Sequence, residues 1–414
     1  MTVVAPERSV RPLPLRCGHC GTATPASAQA ACPDCLGPLE PVYPPDRARP
    51  SRAEIAARPP SLWRYREWLP LAGVPTLSLD TGFTPLVEAP RLAGLLGVAR
   101  LWLKNDTVSH PSLSFKDRVV ATAINAASGL GLDRIGCAST GNLAVAVAAQ
   151  AARAGLPAVI LIPDTVEPAK VIATAAAGAR VIRVRGTYDD VNRLAVQLAD
   201  RRRIGIVNVN LRPYYGEGSK TVAFEIAEQL GWRLPDAVVA PMAGGSLLSK
   251  LHKGFGEFLA DGVVAGRVPR LYGAQAAGCA PIAAAVTAGS WRINPVVPDT
   301  VARSLAIGAP ADGLRAVRAI GDSGGWAAAV ADDDLLEAIR ILAEHSGVFA
   351  ETAGGVTLAG AFDLARAGRL GPADEVVLCL TAHGLKTPEA IAPDQFDLPV
   401  VSTRLADVER AVAD

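Results

Sequence analysis

The 414-residue chain reads as an α/β protein of two three-layer domains, each a parallel sheet covered by helices, preceded by a short cysteine-bearing extension. Three observations point there. From about Trp63 onward, short apolar runs alternate with longer alanine-rich stretches, the alternation that builds parallel sheets with helices on their faces. Those runs lack the polar alternation of a half-exposed strand, so they read as buried on both sides. Finally, two Cys-x-x-Cys pairs crowd into the first 35 residues.

Taken in order, the extension comes first. Cys17-Gly-His-Cys20 and Cys32-Pro-Asp-Cys35 are separated by 11 residues. Two such knuckles can place four thiolates tetrahedrally around a structural Zn²⁺, with a pair of disulfides as the alternative. Residues Val42 to Pro60 are rich in Pro and Arg and read as an arm wrapped on the surface, with Trp63 and Trp68 anchoring it to the body. The expected strands are Leu101–Lys104, Ala158–Pro163, Val181–Val184, Ile206–Val209, Ala237–Pro241 and Glu375–Leu380; helices are expected over Ser219–Leu230 and Asp333–His345, among others.

Composition narrows the function. With 41 basic and 40 acidic residues the net charge is +1, which removes the electrostatic reason to expect a nucleic-acid or other polyanion partner. No window approaches the ~20 apolar residues of a membrane-spanning helix, and the N-terminus lacks the apolar core of a secretory signal. A cytoplasmic enzyme is the expectation. Only seven of the basic residues are lysines, so chemistry that needs an amine has few candidates.

Four strand-to-helix junctions carry the chemistry, where α/β folds bind ligands. Ser112-Leu-Ser-Phe-Lys116-Asp-Arg118 opens a helix, and a lysine near the positive end of the helix dipole favours a nucleophilic amine. Cys137-Ala-Ser139-Thr140-Gly141-Asn142 offers side-chain donors beside free backbone N–H groups, a carboxylate site. Met242-Ala243-Gly244-Gly245-Ser246-Leu247 can turn amides around a phosphate. After the last buried strand come Thr381-Ala-His383-Gly384-Leu-Lys386, whose Thr hydroxyl can bond a ring nitrogen.

These segments, with Gly82-Phe-Thr-Pro-Leu, Gly186-Thr-Tyr-Asp-Asp190, Val207 to Tyr215, Glu217-Gly-Ser-Lys-Thr221 and Glu351-Thr-Ala-Gly-Gly355, closely resemble the threonine synthase family in order and spacing from about Thr81 to Pro388. That family comprises pyridoxal-phosphate enzymes of the tryptophan-synthase-β fold (fold type II), and some members carry an N-terminal cysteine ribbon. The resemblance implies that Lys116 holds the cofactor as a Schiff base and moves protons. Asn142 would bond the cofactor's 3′-hydroxyl, residues 243–247 would cradle its phosphate, and Thr381 would face the pyridine nitrogen. Ser139, Thr140 and Gly141 would hold the substrate carboxylate. Donors for the substrate phosphate are expected among Ser114, Asn210, Arg212, Tyr215 and Lys220.

The implied reaction is O-phosphohomoserine plus water to threonine plus phosphate, by a homodimer with its cofactor between two domains. The expected division is residues 1–50 as ribbon and linker, 51–105 with 219–414 as the large domain, and 106–218 as a small mobile one. Departures include Tyr215 where many members have Arg, a phosphate turn without an amide side chain, Ala309 in place of Asn and Ala382 in place of Gly. They leave open a same-fold relative, such as a cysteate-synthase-like enzyme or a threonine or serine dehydratase, and a non-catalytic cofactor-binding protein.

Overall fold

The computed structural model describes residues 10–139, 141–164, 169–186, 188–391 and 399–413. Two parallel sheets organise it. Six strands form the first: β1 (Leu86–Glu88), β2 (Arg100–Asn105), β7 (Ala237–Pro241), β8 (Arg270–Ala276), β9 (Ala327–Val330) and β10 (Glu375–Leu380). Their spatial order is β9-β8-β7-β10-β2-β1, all parallel except the edge strand β1. The second sheet has β3 (Arg134–Ala138), β4 (Ala158–Pro163), β5 (Arg180–Val184) and β6 (Ile204–Ile206) in the order β5-β4-β3-β6, all parallel.

Every residue of Ala237–Pro241 is buried, as are all of Glu375–Leu380 after the first. Such strands can occupy only the middle of a sheet covered on both faces, and β7 and β10 lie side by side there. Three helices position the site. α1 (Lys116–Gly129) follows β2, α2 (Asn142–Ala154) follows β3, and α4 (Ser246–Ala260) follows β7 after the shorter α3 (Arg212–Glu217). A fifth, α5 (Thr352–Arg366), precedes β10. Among the described residues no helix is long and apolar enough to cross a membrane.

One expected strand is shifted. The run Ile206–Val209 was expected to be extended, but β6 ends at Ile206 and a turn follows. Asn210 closes that turn: its Oδ1 accepts from the Ile206 N–H (2.8 Å) and its Nδ2 donates to the Ile204 carbonyl (3.0 Å). An asparagine that satisfies the backbone in this way competes directly with the ladder.

The extension forms a three-stranded antiparallel ribbon of Leu15–Cys17, Ala23–Thr24 and Leu39–Pro41. The Arg-rich arm after it is held at Asp261, which accepts from Arg47, from Arg49 (2.9 Å) and from the Trp68 indole (2.8 Å). Trp68 is fully buried beside Phe224 and Phe258.

Candidate active site

The carboxyl ends of β2, β7 and β10 converge on one edge of the six-stranded sheet. There the segment after β10 lies between two others. On one side Phe115 N–H donates to the Thr381 carbonyl (2.8 Å) and His383 N–H to that of Leu113 (3.1 Å). On the other, Glu351 N–H donates to Ala382 (3.0 Å) and Gly384 N–H to Phe349 (3.0 Å). Residues 113–115, 381–384 and 349–351 are thus stitched together, which places Lys116 beside Thr381. Leu113 reaches this position with φ +57°, in the left-handed region that a leucine seldom adopts.

Lys116 is the first residue of α1, and its amine lies 5.1 Å from the centroid of the Phe115 ring. Asn142 is the first residue of α2, and its Nδ2 donates to Glu351 Oε2 (2.9 Å). Glu351 is buried, and Ser304 donates to its other oxygen at 3.4 Å. Burial raises its pKa, opposed by those two hydrogen bonds and by the positive charges of Lys116 and Lys386. Asn142 and Lys116, from different segments, therefore act on one carboxyl group.

At the end of β7, Gly245 takes φ +87° and starts α4. A Cβ there would meet the Asp312 carbonyl at 2.9 Å, whereas one on Gly244 would stand in open space. The turn is held by Asp312, whose N–H donates to the Gly244 carbonyl (2.9 Å) and whose carboxylate pairs with Arg212 (2.7 Å). Free amides of a 15-residue helix facing open space suit a phosphate. With an amine and an amide across the site, the residues fit pyridoxal phosphate.

Two more ionisable groups stand beside Lys116. Asp117 is buried; its Oδ2 accepts from the Ser112 N–H (2.9 Å), and its Oδ1 has no hydrogen-bond partner. Burial pushes this carboxyl up to about 7, against the Ser112 contact and the charge of Lys386. Burial lowers the Lys386 pKa in turn, opposed by Asp117 and Glu351. Asp117, Glu351 and Ser304 were not anticipated. The only signal in the sequence was that the first two lie within matched segments.

The expected substrate donors divide. Ser114 Oγ accepts from the Lys116 N–H (3.2 Å), and Ser139 Oγ accepts from the Gly141 N–H (3.3 Å), so both lie at the helix starts. Gly141 has open space above it. Thr140 lies outside the described residues, as does Thr187 of the matched Gly186 segment. Arg212 reaches the glycine turn through Asp312, and Tyr215 packs half-buried on the core.

Two donors are placed elsewhere. Asn210 spends its amide on the turn after β6. Lys220 is fully buried, paired with Glu217 (2.7 Å) and Glu257 (2.8 Å) and bonded to the Tyr43 hydroxyl (3.0 Å). Tyr214, in the same matched segment, donates to the Leu13 carbonyl (3.1 Å) and accepts from the Ser27 N–H (3.2 Å). Residues 214–220 thus dock the N-terminal arm. Of the departures, Ala382 has no left-handed φ and sits in an extended bridge with Ser114, where a side chain is admissible. Ala309 is exposed.

The four N-terminal cysteines form a compact cluster, with their sulfurs within 4.8 Å of one another. Separations of 3.4 Å (Cys17–Cys35), 3.6 Å (Cys20–Cys32) and 3.3 Å (Cys20–Cys35) approach the ~3.8 Å edge of a tetrahedron with zinc–sulfur bonds of about 2.3 Å. They far exceed a disulfide bond. The donor set fits a structural metal.

Comparison with known proteins bears on the whole chain. Residues 77–382 match the family described as pyridoxal-phosphate dependent enzyme. A threonine synthase of Methanocaldococcus jannaschii is 36% identical over 380 residues, covering 91% of this chain and 93% of that protein. One of Methanosarcina acetivorans is 34% identical, covering 96% and 98% respectively. Among solved structures, the processed form of threonine deaminase isoform 2 from Solanum lycopersicum superposes with a TM-score of 0.63 at 23% identity, over 77% of this chain and 89% of that one.

Proposed function

The chain belongs to the pyridoxal-phosphate-dependent enzymes, and we propose that it is a threonine synthase, converting O-phospho-L-homoserine and water to L-threonine and phosphate. One observation carries the assignment of the site: Asn142 donates to Glu351, whose backbone is bonded to Ala382, in the same segment whose Thr381 carbonyl accepts from the Phe115 N–H next to Lys116. The near full-length similarity to threonine synthases supports the choice of substrate within the fold.

When bound, the cofactor supplies an electron sink that stabilises negative charge on carbons near the substrate's amino group. This chain supplies the rest. Lys116 holds the cofactor and moves protons at the substrate's Cα, Cβ and Cγ. Its place at the start of α1 is fixed by the bond from Phe115 to Thr381, which sets Lys116 beside the segment that follows β10. Asn142 would hold the cofactor at its 3′-hydroxyl, Thr381 at its ring nitrogen, and residues 243–247 at its phosphate. Ser139, Thr140 and Gly141 bind the substrate carboxylate at the start of α2. With Asn210 and Lys220 engaged elsewhere, Ser114, Arg212 and Tyr215 are left for the substrate phosphate.

The small domain, residues 106–218, would close over the substrate and exclude water until phosphate has left. The four cysteines would hold Zn²⁺ without touching the chemistry, and the enzyme would act as a cytoplasmic homodimer. Metal analysis of purified protein and gel filtration test those two points. The test of function is parallel incubation with O-phosphohomoserine, O-phosphoserine, threonine and serine. Equimolar threonine and phosphate from the first are expected. Turnover of another substrate alone would assign the chain to a same-fold relative.

A further inference from the structure

Side chains of six of the seven lysines are described, and four are locked in ion pairs: Lys104 with Glu225, and Lys220, Lys250 and Lys253 with Glu217. The side-chain amines of Lys116 and Lys386 make no hydrogen bond or ion pair within 4 Å among the described residues. Both act on Glu351, the one carboxyl group that also contacts Asn142.

Glu351 occupies the N-cap position of α5, yet its side chain makes no capping hydrogen bond. Ser, Thr or Asp would serve a cap better. Its backbone is fixed instead by the bond to Ala382 and by the Ala350–His383 bridge, and its carboxyl reaches Asn142 on α2, beyond the end of the other sheet. A carboxyl 3% exposed with no cation in contact is costly to bury and needs a reason other than helix stability.

We propose that Glu351 is a positioning residue for the cofactor: it locks the Asn142 amide by taking one of its N–H groups, and it sets a negative charge opposite Lys116 and Lys386. The amide's remaining N–H then keeps one direction, toward the cofactor's 3′-oxygen. Other charged or titratable groups facing the cluster are Asp117 on α1, which acts on Lys386, and His383, whose Nδ1 accepts from the Leu385 N–H (3.1 Å). This proposal rests on the reading that Lys116 and Asn142 hold pyridoxal phosphate.

The experiment compares wild type with Glu351→Gln, Glu351→Asp, Glu351→Ala, Asn142→Ala and the Glu351→Ala/Asn142→Ala double variant. Apo-protein is titrated with pyridoxal phosphate for its Kd, and the absorbance of the bound cofactor is followed against pH. Glu351→Gln keeps an acceptor but loses the charge, so the absorbance midpoint should fall by about one pH unit, a tenfold change in proton affinity. Its cofactor Kd should stay within about threefold. Glu351→Asp retains the charge and should hold the midpoint near that of wild type.

Glu351→Ala should weaken cofactor binding about tenfold, a penalty that disappears in the Asn142→Ala background because the two residues act as one. A midpoint unchanged in Glu351→Gln, or additive penalties in the double variant, overturns the proposal alone. Wild-type protein that binds no cofactor in a Lys116-dependent way would overturn the functional reading together with it.

Discussion

Lys116, Asp117 and Arg118 are consecutive on the first turn of α1, yet they serve two unlike regions. Arg118 enters a fully buried cluster in which Asp106 (2.7 Å), Glu225, Thr84 (2.9 Å) and Thr221 (3.0 Å) take its guanidinium. Lys104 completes that cluster through Glu225 (2.6 Å). Two cations face two carboxylates, and the donors are used. Lys116 and Asp117 enter the other region, where, among the described residues, Lys386 and Glu351 have no ion-pair contact and Asp117 Oδ1 has no hydrogen-bond partner. Saturated charge makes a scaffold; unsaturated charge is left for a ligand.

Lys116 in the unsaturated region and Glu225 in the saturated one give the largest expected effects. Lys116→Ala should reduce kcat at least about a thousandfold while leaving urea stability within about 0.5 kcal/mol, because among the described residues its amine makes no hydrogen bond or ion pair, only the contact with the Phe115 ring. Steady-state phosphate release and equilibrium unfolding check the two halves. Glu225→Gln should do the reverse in kind. It leaves Arg118 and Lys104 underpaired in the interior and should lower unfolding free energy by about 3 kcal/mol or more.

The same cluster has a pH signature. Burial raises the Glu225 pKa, but Arg118 and Lys104 outweigh it and bring the carboxyl down to about 2. The unfolded value is about 4.3, so folded protein binds fewer protons than unfolded protein between those limits. The stabilisation is present above about pH 4.3 and is lost as pH falls toward 2. Urea midpoints across that range should fall less in Glu225→Gln than in wild type.

Much of the scaffold was legible because β4, β7 and, after its first residue, β10 are continuous apolar runs that only a sheet interior accepts. The strands Arg270–Ala276 and Ala327–Val330 were missed because they are rich in Ala and Gly, which carry no strand preference. In the site, Lys116 and Asn142 could be found from local motifs. Glu351 could not be paired with Asn142, since 209 residues separate them. Lys220 was misplaced for a similar reason: nothing adjacent in sequence reveals that Glu257 and Tyr43 enclose it.

Asp117 lies on the border between the regions and sharpens the contrast. Its carboxyl, raised by burial to about 7, keeps its proton in the folded protein below that pH, while its unfolded counterpart ionises near 3.9. Folded protein therefore binds more protons over that interval, and stability should decline as pH rises from about 4 to about 7. Asp117→Asn keeps an acceptor for the Ser112 N–H but cannot ionise. At pH 8 it should be about 4 kcal/mol more stable than wild type, with the difference vanishing near pH 4. Equal stability at both pH values would show that the unpartnered oxygen costs nothing.

The smallest expected effect tests where the second region ends. The Tyr43 hydroxyl donates to Glu217 (2.5 Å) and accepts from Lys220 (3.0 Å), while its ring lies 4.3 Å from the Lys220 amine. Tyr43→Phe removes the hydroxyl and keeps the ring, so the arm should lose about 1 kcal/mol of stability. Lys220 still has two carboxylates and no reason to move, so kcat and KM for O-phosphohomoserine should not change. A KM raised several-fold would mean that Lys220 reaches the substrate phosphate after all, and that the arm tunes the site through Tyr43. Unchanged kinetics with reduced stability would place the arm, the ribbon and residues 214–220 on the saturated side of the molecule.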